Sequence, residues 1–260
     1  MERVMEGDSR RLLVVPEQRP EADAIVPAAI DECQVPFTTD SLHDLASPIN
    51  QVGTMSGLFI DRYRNRLDED ADVLLGHMER STRHLHRLMA GLARYVQAVG
   101  LPGPHRSCNG DVLLTAALES IQGLIDSHGA LITHDTLPEL YCHPGQIVTV
   151  FTSLIENSIQ FRREDPPEVH VSVTARENIW VLSVRDNGLG IASRYRKRVF
   201  NVFTRAHQVE NPGAGVGLAI VRRIVENHQG QVWIESGVGS GTTVSFTLPQ
   251  GECRRVCAIA

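Results

Sequence analysis

Hydrophobic residues recur at alternating steps of three and four positions along two stretches of the chain, from Leu42 to Tyr63 and from Ala71 to Val99. This spacing places apolar side chains in one stripe along a helix, and it predicts two long helices. A turn is expected after Leu67, where an acidic stretch occupies residues 68–72. The two helices are therefore predicted to form an antiparallel hairpin.

A lone hairpin buries only one side of each apolar stripe, so two hairpins are expected to pair as a dimeric four-helix bundle. The chain is thus predicted to be a homodimer. In the alternative arrangement, one hairpin packs on the globular part of its own chain. That arrangement is less favoured because both stripes are long.

A different pattern begins beyond Pro102-Gly103-Pro104, which interrupts the second helix and marks a domain boundary. Helices are predicted over 111–128, 144–163 and 217–228, and strands over 131–134, 169–174, 179–184, 232–235 and 242–248. Helices segregated from strand hairpins indicate an α+β sandwich, in which helices cover a mixed, mainly antiparallel sheet. The predicted parts are an N-terminal arm (1–36), the hairpin (37–100), a linker (101–107), the α+β domain (108–250) and a tail (251–260).

Composition narrows the class of protein. Of the 260 residues, 42% are hydrophobic and 22% charged, as is ordinary for a soluble globular protein. The net charge of −6 gives no basic field for nucleic acid or an anionic membrane. No apolar stretch is long enough to span a bilayer, and the N-terminus lacks a signal-peptide pattern, so a cytoplasmic location is expected. The five cysteines form no paired zinc-ligand pattern and are expected to be reduced thiols.

Polar residues form a compact stripe on the predicted helix 144–163, where Ser153, Glu156, Asn157 and Gln160 share one face. Alone, this stripe indicates only solvent exposure. Farther along, Asp186 ends a strand at a turn that contains Gly188 and Gly190. An aspartate there can accept a hydrogen bond from an exocyclic amine, while the glycines let backbone approach a flat base.

A second glycine-rich turn contains Gly213, Gly215 and Gly217 and leads directly into a helix. The free N–H groups of a first helical turn bind anions such as phosphate. On the first predicted helix, His43 lies beside Asp44 and just off the apolar stripe, so it is expected to point outward. A phosphate site together with a histidine acceptor suggests histidine phosphorylation, although a histidine beside an aspartate on a helix is usually only solvated.

The order of these motifs resembles the core of bacterial sensor histidine kinases, over about residues 37–249. The hairpin resembles the family's dimerisation and phosphoacceptor domain, and the remainder resembles the ATPase domain shared with gyrase, mismatch-repair and heat-shock chaperone ATPases. The segments 166–173 and 203–207 are most similar to the phytochrome-type branch. The matching motifs are the histidine box around His43, the asparagine box 156–161, the first glycine box 186–191, the phenylalanine box 200–205, the second glycine box 213–218, and the glycine turn 239–242.

The resemblance implies that His43 accepts the γ-phosphoryl group of ATP, that Asp44 orients its ring, and that Ser47 belongs to the same catalytic box. It implies further that Asn157 coordinates Mg²⁺ and that Asp186 recognises adenine. A response regulator would then receive the phosphoryl group on an aspartate. The nucleotide-binding residues that it implies are Asn157, Gln160, Asp186, Gly188, Gly190, Phe203, Arg205, Gly213, Gly215, Gly217, Leu218 and Thr242.

The chain departs from the family pattern at three positions. Ser153 stands where asparagine is usual, Gln160 where lysine is usual, and His143 where an acidic residue is common. Catalysis is therefore expected to be slow, although ATP binding is expected to be intact. No recognisable sensor domain fits in the 36 residues upstream, so input is expected from a separate partner unless the chain is a fragment.

Two other functions remain open. One is a non-catalytic histidine phosphotransfer or scaffold protein with a weakened ATPase domain, although members of that kind typically lose the glycine boxes. The other is an ATPase or serine kinase with the same nucleotide-binding fold, which gives no role to the histidine-bearing hairpin.

Overall fold

The computed structural model describes residues 39–63, 69–100, 103–206 and 213–251. Its N-terminal part is the predicted helical hairpin, formed by α1 (Thr39–Tyr63) and α2 (Glu69–Val99). Ser56, Ile60 and Leu75 are buried where the two helices pack. The predicted turn after Leu67 lies outside the described residues.

Seven strands and four α-helices follow the hairpin in the described part of the chain. The strands are β1 (Arg106–Asn109), β2 (Leu131–His134), β3 (Glu139–Cys142), β4 (Glu168–Arg176), β5 (Ile179–Asp186), β6 (Val232–Ser236) and β7 (Thr242–Pro249). The helices are α3 (Gly110–Ser120), α4 (Gln122–His128), α5 (Pro144–Gln160) and α6 (Gly217–Asn227).

Five strands form one sheet in the order β2-β4-β5-β7-β6, in which only β2 and β4 run parallel. One face of this sheet packs on α5 and α6, and Phe151, Ile155 and Ile220 are fully buried between the layers. On the opposite face Ser183 and Ser245 are hydrogen-bonded at 2.8 Å. This alternation follows the two-residue period of a strand, and the predicted α+β sandwich with its mainly antiparallel sheet is confirmed.

Two local features differ from the sequence-based expectation. The predicted helix 111–128 is broken at Ile121, whose buried side chain stays in the core while Leu124 and Ile125 pack at its edge. In addition, β1 and β3 form a separate antiparallel pair. Each of these strands has four residues, which is too short for a period-two pattern to stand out.

His143 caps the start of α5, since its Nδ1 accepts a hydrogen bond from the Gln146 amide at 3.2 Å. The same residue ties α5 to the end of α6, because its backbone N–H donates to His228 Nε2 at 3.0 Å. His228 Nδ1 lies 2.8 Å from the Ile224 carbonyl oxygen, so a neutral ring with a proton on Nδ1 satisfies both contacts. His143, which stands where an acidic residue is common in the family it resembles, thus caps α5 within a small polar network.

No helix in the described part of the chain combines the length and the apolar character needed to cross a bilayer.

The first prediction concerns acid stability. Burial lowers the pKa of His228 below its usual value of 6.5, with smaller contributions from the neighbouring His105 and His143. The unfolded chain therefore binds more protons than the native state as pH falls below about 6.5, and the free energy of unfolding decreases through that range. The loss from this group is at most about 1.4 kcal/mol per pH unit.

Denaturant unfolding at pH 7.5 and 5.5 measures this effect. His228→Gln should be less stable than the parent protein at pH 7.5 but should lose less stability on acidification. His77→Gln changes an exposed histidine of α2 and is the matched control, which should keep the acid sensitivity of the parent. An unchanged acid sensitivity in His228→Gln would contradict the assignment.

Candidate functional site

A pocket lies between α5, the turn after β5, the segment that leads into α6, and the start of β7. The elements that form it are those that carry the glycine-rich and asparagine motifs of the sequence. All of the predicted nucleotide-binding residues line it except Gly188 and Phe203. The lining residues of that set are Asn157, Gln160, Asp186, Gly190, Arg205, Gly213, Gly215, Gly217, Leu218 and Thr242.

The carboxylate of Asp186, which lines the pocket, is fixed by three hydrogen bonds. Its Oδ1 accepts the backbone N–H groups of Gly188 at 2.8 Å and Thr242 at 3.0 Å. Its Oδ2 accepts the hydroxyl of Ser158 at 3.2 Å. Burial raises the pKa of Asp186 above its usual value, whereas these donors and the nearby Arg163 oppose the rise. The side chain is thereby preorganised as a hydrogen-bond acceptor.

Glycine is required at two positions in the wall of the pocket. Gly190 has φ of +72°, and a Cβ there would overlap the Gly237 carbonyl oxygen. Gly215 has φ of +73°, and a Cβ there would lie 3.0 Å from the Thr204 carbonyl oxygen. Any side chain at either position would strain the backbone and push two loops apart, so the glycine pattern reflects close packing of the loops that form the pocket.

Asn157 and the start of α6 form another part of the pocket wall. A Cβ added at Gly217 would lie 3.2 Å from Asn157 Nδ2, so the asparagine faces the first turn of α6. Asn157 Nδ2 and the 2%-exposed Ser153 Oγ are buried without a hydrogen-bond partner among the described residues. Both residues line the pocket, and a polar ligand there would satisfy these groups.

The donor atoms beside the first turn of α6 suit a hard cation that is also bound by phosphate. Asn157 supplies an amide oxygen, and the described residues contain no cluster of three or more His, Cys, Asp or Glu side chains that could hold a metal. Mg²⁺ is commonly bound through few protein oxygens together with substrate phosphates. The residues present therefore fit magnesium that arrives with a nucleotide, and they do not form a cage of their own.

The hairpin also contributes to the pocket. Arg94 of α2 is a lining residue, and its Nη2 lies 3.2 Å from Glu156 Oε2, next to Asn157 along α5. Gly91, one turn earlier, packs so closely on Ala214 that an added Cβ would overlap the alanine side chain. Arg94 was not among the predicted site residues, because the hydrophobic spacing of α2 indicates only a hairpin helix.

Two predicted nucleotide-binding residues, Gly188 and Phe203, do not line the pocket but contact residues that do. Gly188 holds Asp186 through its N–H, as described above. Phe203 is 40% exposed, and its backbone supports the turn at Gly215. The role of Ser158 was also missed, because serine on a buried helix face gives no signal of its carboxylate partner.

The predicted catalytic residues lie on α1. Ser47 is exposed. His43 and Asp44 fall within the helix, but their side chains lie outside the described part of the chain. Their predicted roles therefore remain predictions.

Comparison with known proteins defines the class. A family model described as histidine kinase-, DNA gyrase B-, and HSP90-like ATPase matches residues 142–252. The chain is 36% identical to Cyanobacterial phytochrome A of Nostoc sp. (strain PCC 7120) over 220 residues, which cover 84% of this chain and 29% of that protein. It therefore spans less than a third of the length of this relative.

Solved structures support the same fold. Full-length ShkA in complex with AMPPNP has a TM-score of 0.56 at 23% identity, with 81% of this chain and 44% of ShkA covered. Histidine kinase ThkA in complex with the response regulator protein TrrA has a TM-score of 0.55 at 17% identity, with 82% and 62% covered.

Residues 142–252 therefore belong to the ATPase family of histidine kinases, DNA gyrase B and HSP90. The resemblance of the chain to sensor histidine kinase cores, including the phytochrome branch, is confirmed.

The second prediction concerns Asp186. Asp186→Asn replaces one carboxylate oxygen with an N–H₂ donor, which cannot accept a hydrogen bond from an adenine amine. We expect ATP affinity to fall by roughly 1.5–3 kcal/mol, the range for a hydrogen bond to a charged group. The preference for adenine over guanine nucleotides should weaken as well.

Calorimetric titration with ATP and GTP measures both effects. Since protonation removes the same acceptor, ATP affinity should also fall on acidification, at a pH above the usual aspartate pKa of 3.8. Asp126→Asn is the control, since Asp126 is an exposed residue of α4 outside the pocket lining. Equal ATP affinity in Asp186→Asn and the parent protein would exclude the adenine-binding role.

Proposed function

We propose that this chain is the kinase core of a two-component system, which transfers the γ-phosphoryl group of Mg·ATP to His43 and then to an aspartate of a response regulator. One observation carries the proposal. A single pocket contains both an anchored acceptor, Asp186, and Asn157, which lies beside the first turn of α6. The same chain carries the His43-Asp44 pair on α1.

The proposed binding mode follows from the positions of Asp186 and of the glycine turn 213–217 in the pocket lining. Asp186 accepts the adenine amine, while Ser158 and the N–H groups of Gly188 and Thr242 keep its carboxylate ionised and fixed. The phosphates lie toward the glycine turn 213–217, where free N–H groups at the start of α6 offer donors. Asn157 would hold Mg²⁺, which neutralises charge on the phosphates when it is bound.

The proposed transfer uses the histidine as a nucleophile. A ring nitrogen of His43 forms a bond to the γ-phosphorus, the bond from that phosphorus to the bridging oxygen breaks, and ADP leaves. Asp44 accepts a hydrogen bond from the other ring nitrogen and stabilises the positive charge that develops there. Hydrolysis of the phosphohistidine would compete with transfer to the regulator.

A response regulator is proposed as the partner because the related fold of ThkA has been solved in complex with such a protein, TrrA. A separate sensor or input protein, or a further part of a longer chain, is proposed to control the kinase. We also propose a cytoplasmic location, where both ATP and response regulators are present.

A homodimer is proposed from the hairpin. Val52, Met55, Phe59 and Leu85 are between 41% and 66% exposed although they lie on two packed helices. Exposed apolar residues concentrated on one element of a protein commonly mark an interface. A second copy of the hairpin would cover such residues and complete the predicted four-helix bundle.

The third prediction tests the phosphoacceptor. His43→Ala should abolish autophosphorylation from γ-labelled Mg·ATP and leave ATP affinity nearly unchanged, because His43 lies on α1 and outside the α+β domain. The label on the parent protein should be acid-labile and base-stable, as expected for phosphohistidine. His77→Ala is the control and should be labelled like the parent. Labelling of His43→Ala at the parental level would falsify the assignment, and a base-labile, acid-stable label would indicate a serine kinase instead.

The fourth prediction tests the dimer. Light scattering should give about twice the 28.7 kDa mass of one chain, and Phe59→Asp with Leu85→Asp should give monomers, because each adds a charge to the proposed apolar interface. Val112→Asp is the control, since Val112 is 64% exposed on α3. A parent protein that is monomeric at all concentrations would exclude the bundle.

A further inference from the structure

We propose that Arg94 is a nucleotide-binding residue supplied by the hairpin, held by Glu156 in the free protein and transferred to the phosphates when ATP binds. The inference rests on the proposed nucleotide-binding function and adds to it a residue from outside the ATPase domain. In this proposal Arg94 of α2 supplies positive charge near the phosphates. Gln160 stands where the asparagine box of the family usually has a lysine.

Three contacts place α2 beside α5 and the glycine turn 213–217, where the phosphates are proposed to bind. Arg94 pairs with Glu156, which precedes the proposed magnesium ligand Asn157. Gly91 packs directly on Ala214 within the glycine turn that leads into α6. The Ala98 carbonyl oxygen accepts a hydrogen bond from Gln146 Nε2 at 3.4 Å and holds the next turn of α2 on α5. Arg94 thus lies near Asn157 and the glycine turn.

Two side chains of the described lining residues, Arg94 and Arg205, carry positive charge into this pocket. Among the described lining residues, only Arg94 and Arg205 carry guanidinium groups, and there is no lysine. Arg205 Nη2 donates to the Gly213 carbonyl oxygen at 3.1 Å. Gln160 lines the pocket but is neutral, so it cannot neutralise phosphate charge. Arg163 points elsewhere, since it donates to the Gly188 and Gly239 carbonyl oxygens.

The Arg94–Glu156 pair is suited to exchange. Its side chains are 58% and 33% exposed, so solvent screens the attraction and the pair is held weakly. A triphosphate carries more negative charge than one carboxylate, and arginine binds phosphate oxygens through two parallel donors. The guanidinium can therefore leave Glu156 for a phosphate without a buried charge losing its partner.

The two partners of the pair predict opposite changes in affinity, and this is the basis of the test. Arg94→Gln removes the phosphate contact and should weaken Mg·ATP binding about tenfold, the equivalent of one charge-assisted hydrogen bond. Adenosine, which lacks phosphates, should bind within about twofold of the parent. Glu156→Gln removes the competing anion and should strengthen ATP binding several-fold. If the pair only fastens α2 to α5, both variants break it and should change ATP affinity in the same direction.

Calorimetric titrations of the full chain with Mg·ATP, ATP in EDTA, and adenosine separate these outcomes. The EDTA series removes any effect of Glu156 on magnesium. Arg83→Gln is the matched control, because Arg83 is an exposed cation of α2 that pairs with Glu79 at 3.1 Å and does not line the pocket. It should leave all three affinities unchanged.

A selective loss of ATP over adenosine in Arg94→Gln, with a gain in Glu156→Gln, supports the proposal. Shifts of the same sign in both variants, or equal losses for ATP and adenosine, overturn it while the proposed kinase function stands. Failure of the parent protein to bind either ligand would reject the nucleotide-binding function itself.

Discussion

The hydrogen-bonded, partly buried carboxylate of Asp186 is the group on which the site depends, because it joins three elements that are distant in sequence. It terminates β5, accepts the N–H of Thr242 at the start of β7, and accepts the hydroxyl of Ser158 on α5. A partly buried carboxylate is costly unless donors surround it, and here two backbone groups and one hydroxyl do so. The same bonds that stabilise the charge thereby fix the distance between helix and sheet.

The glycines extend this constraint to the surrounding loops. Gly241 follows the same logic as Gly190, since it has φ of +76° and a Cβ there would overlap the Asp186 carbonyl oxygen. The turn after β5 and the turn before β7 are consequently packed backbone against backbone. Loops that touch in this way lose little order when a ligand enters between them, which favours affinity through preorganisation.

Sequence patterns predicted the helices whose hydrophobic periodicity extends over many residues. They failed for elements whose bounds are determined by tertiary contacts. The two hairpin stripes and α5 follow helical spacing over many residues, so they were predictable. The break at Ile121 and the short strands β1 and β3 depend on core packing, which leaves no periodic signal. In the site, glycine and aspartate positions were visible as motifs. Arg94 was not, because its role depends on how α2 packs against another domain.

That packing has a consequence for coupling between the two parts of the protein. The helix α2 contacts α1 through Leu75 near one end and the ATPase core through Tyr95 and Ala98 near the other. Its polar link to α5 includes the partly exposed pair of Arg94 with Glu156, which is worth under about 1 kcal/mol. Binding free energies are reciprocal. If a ligand in the pocket changes the position of α2, then a partner that moves the hairpin must change the affinity for that ligand. A signal that acts on the hairpin and a nucleotide in the pocket would then influence each other through one helix.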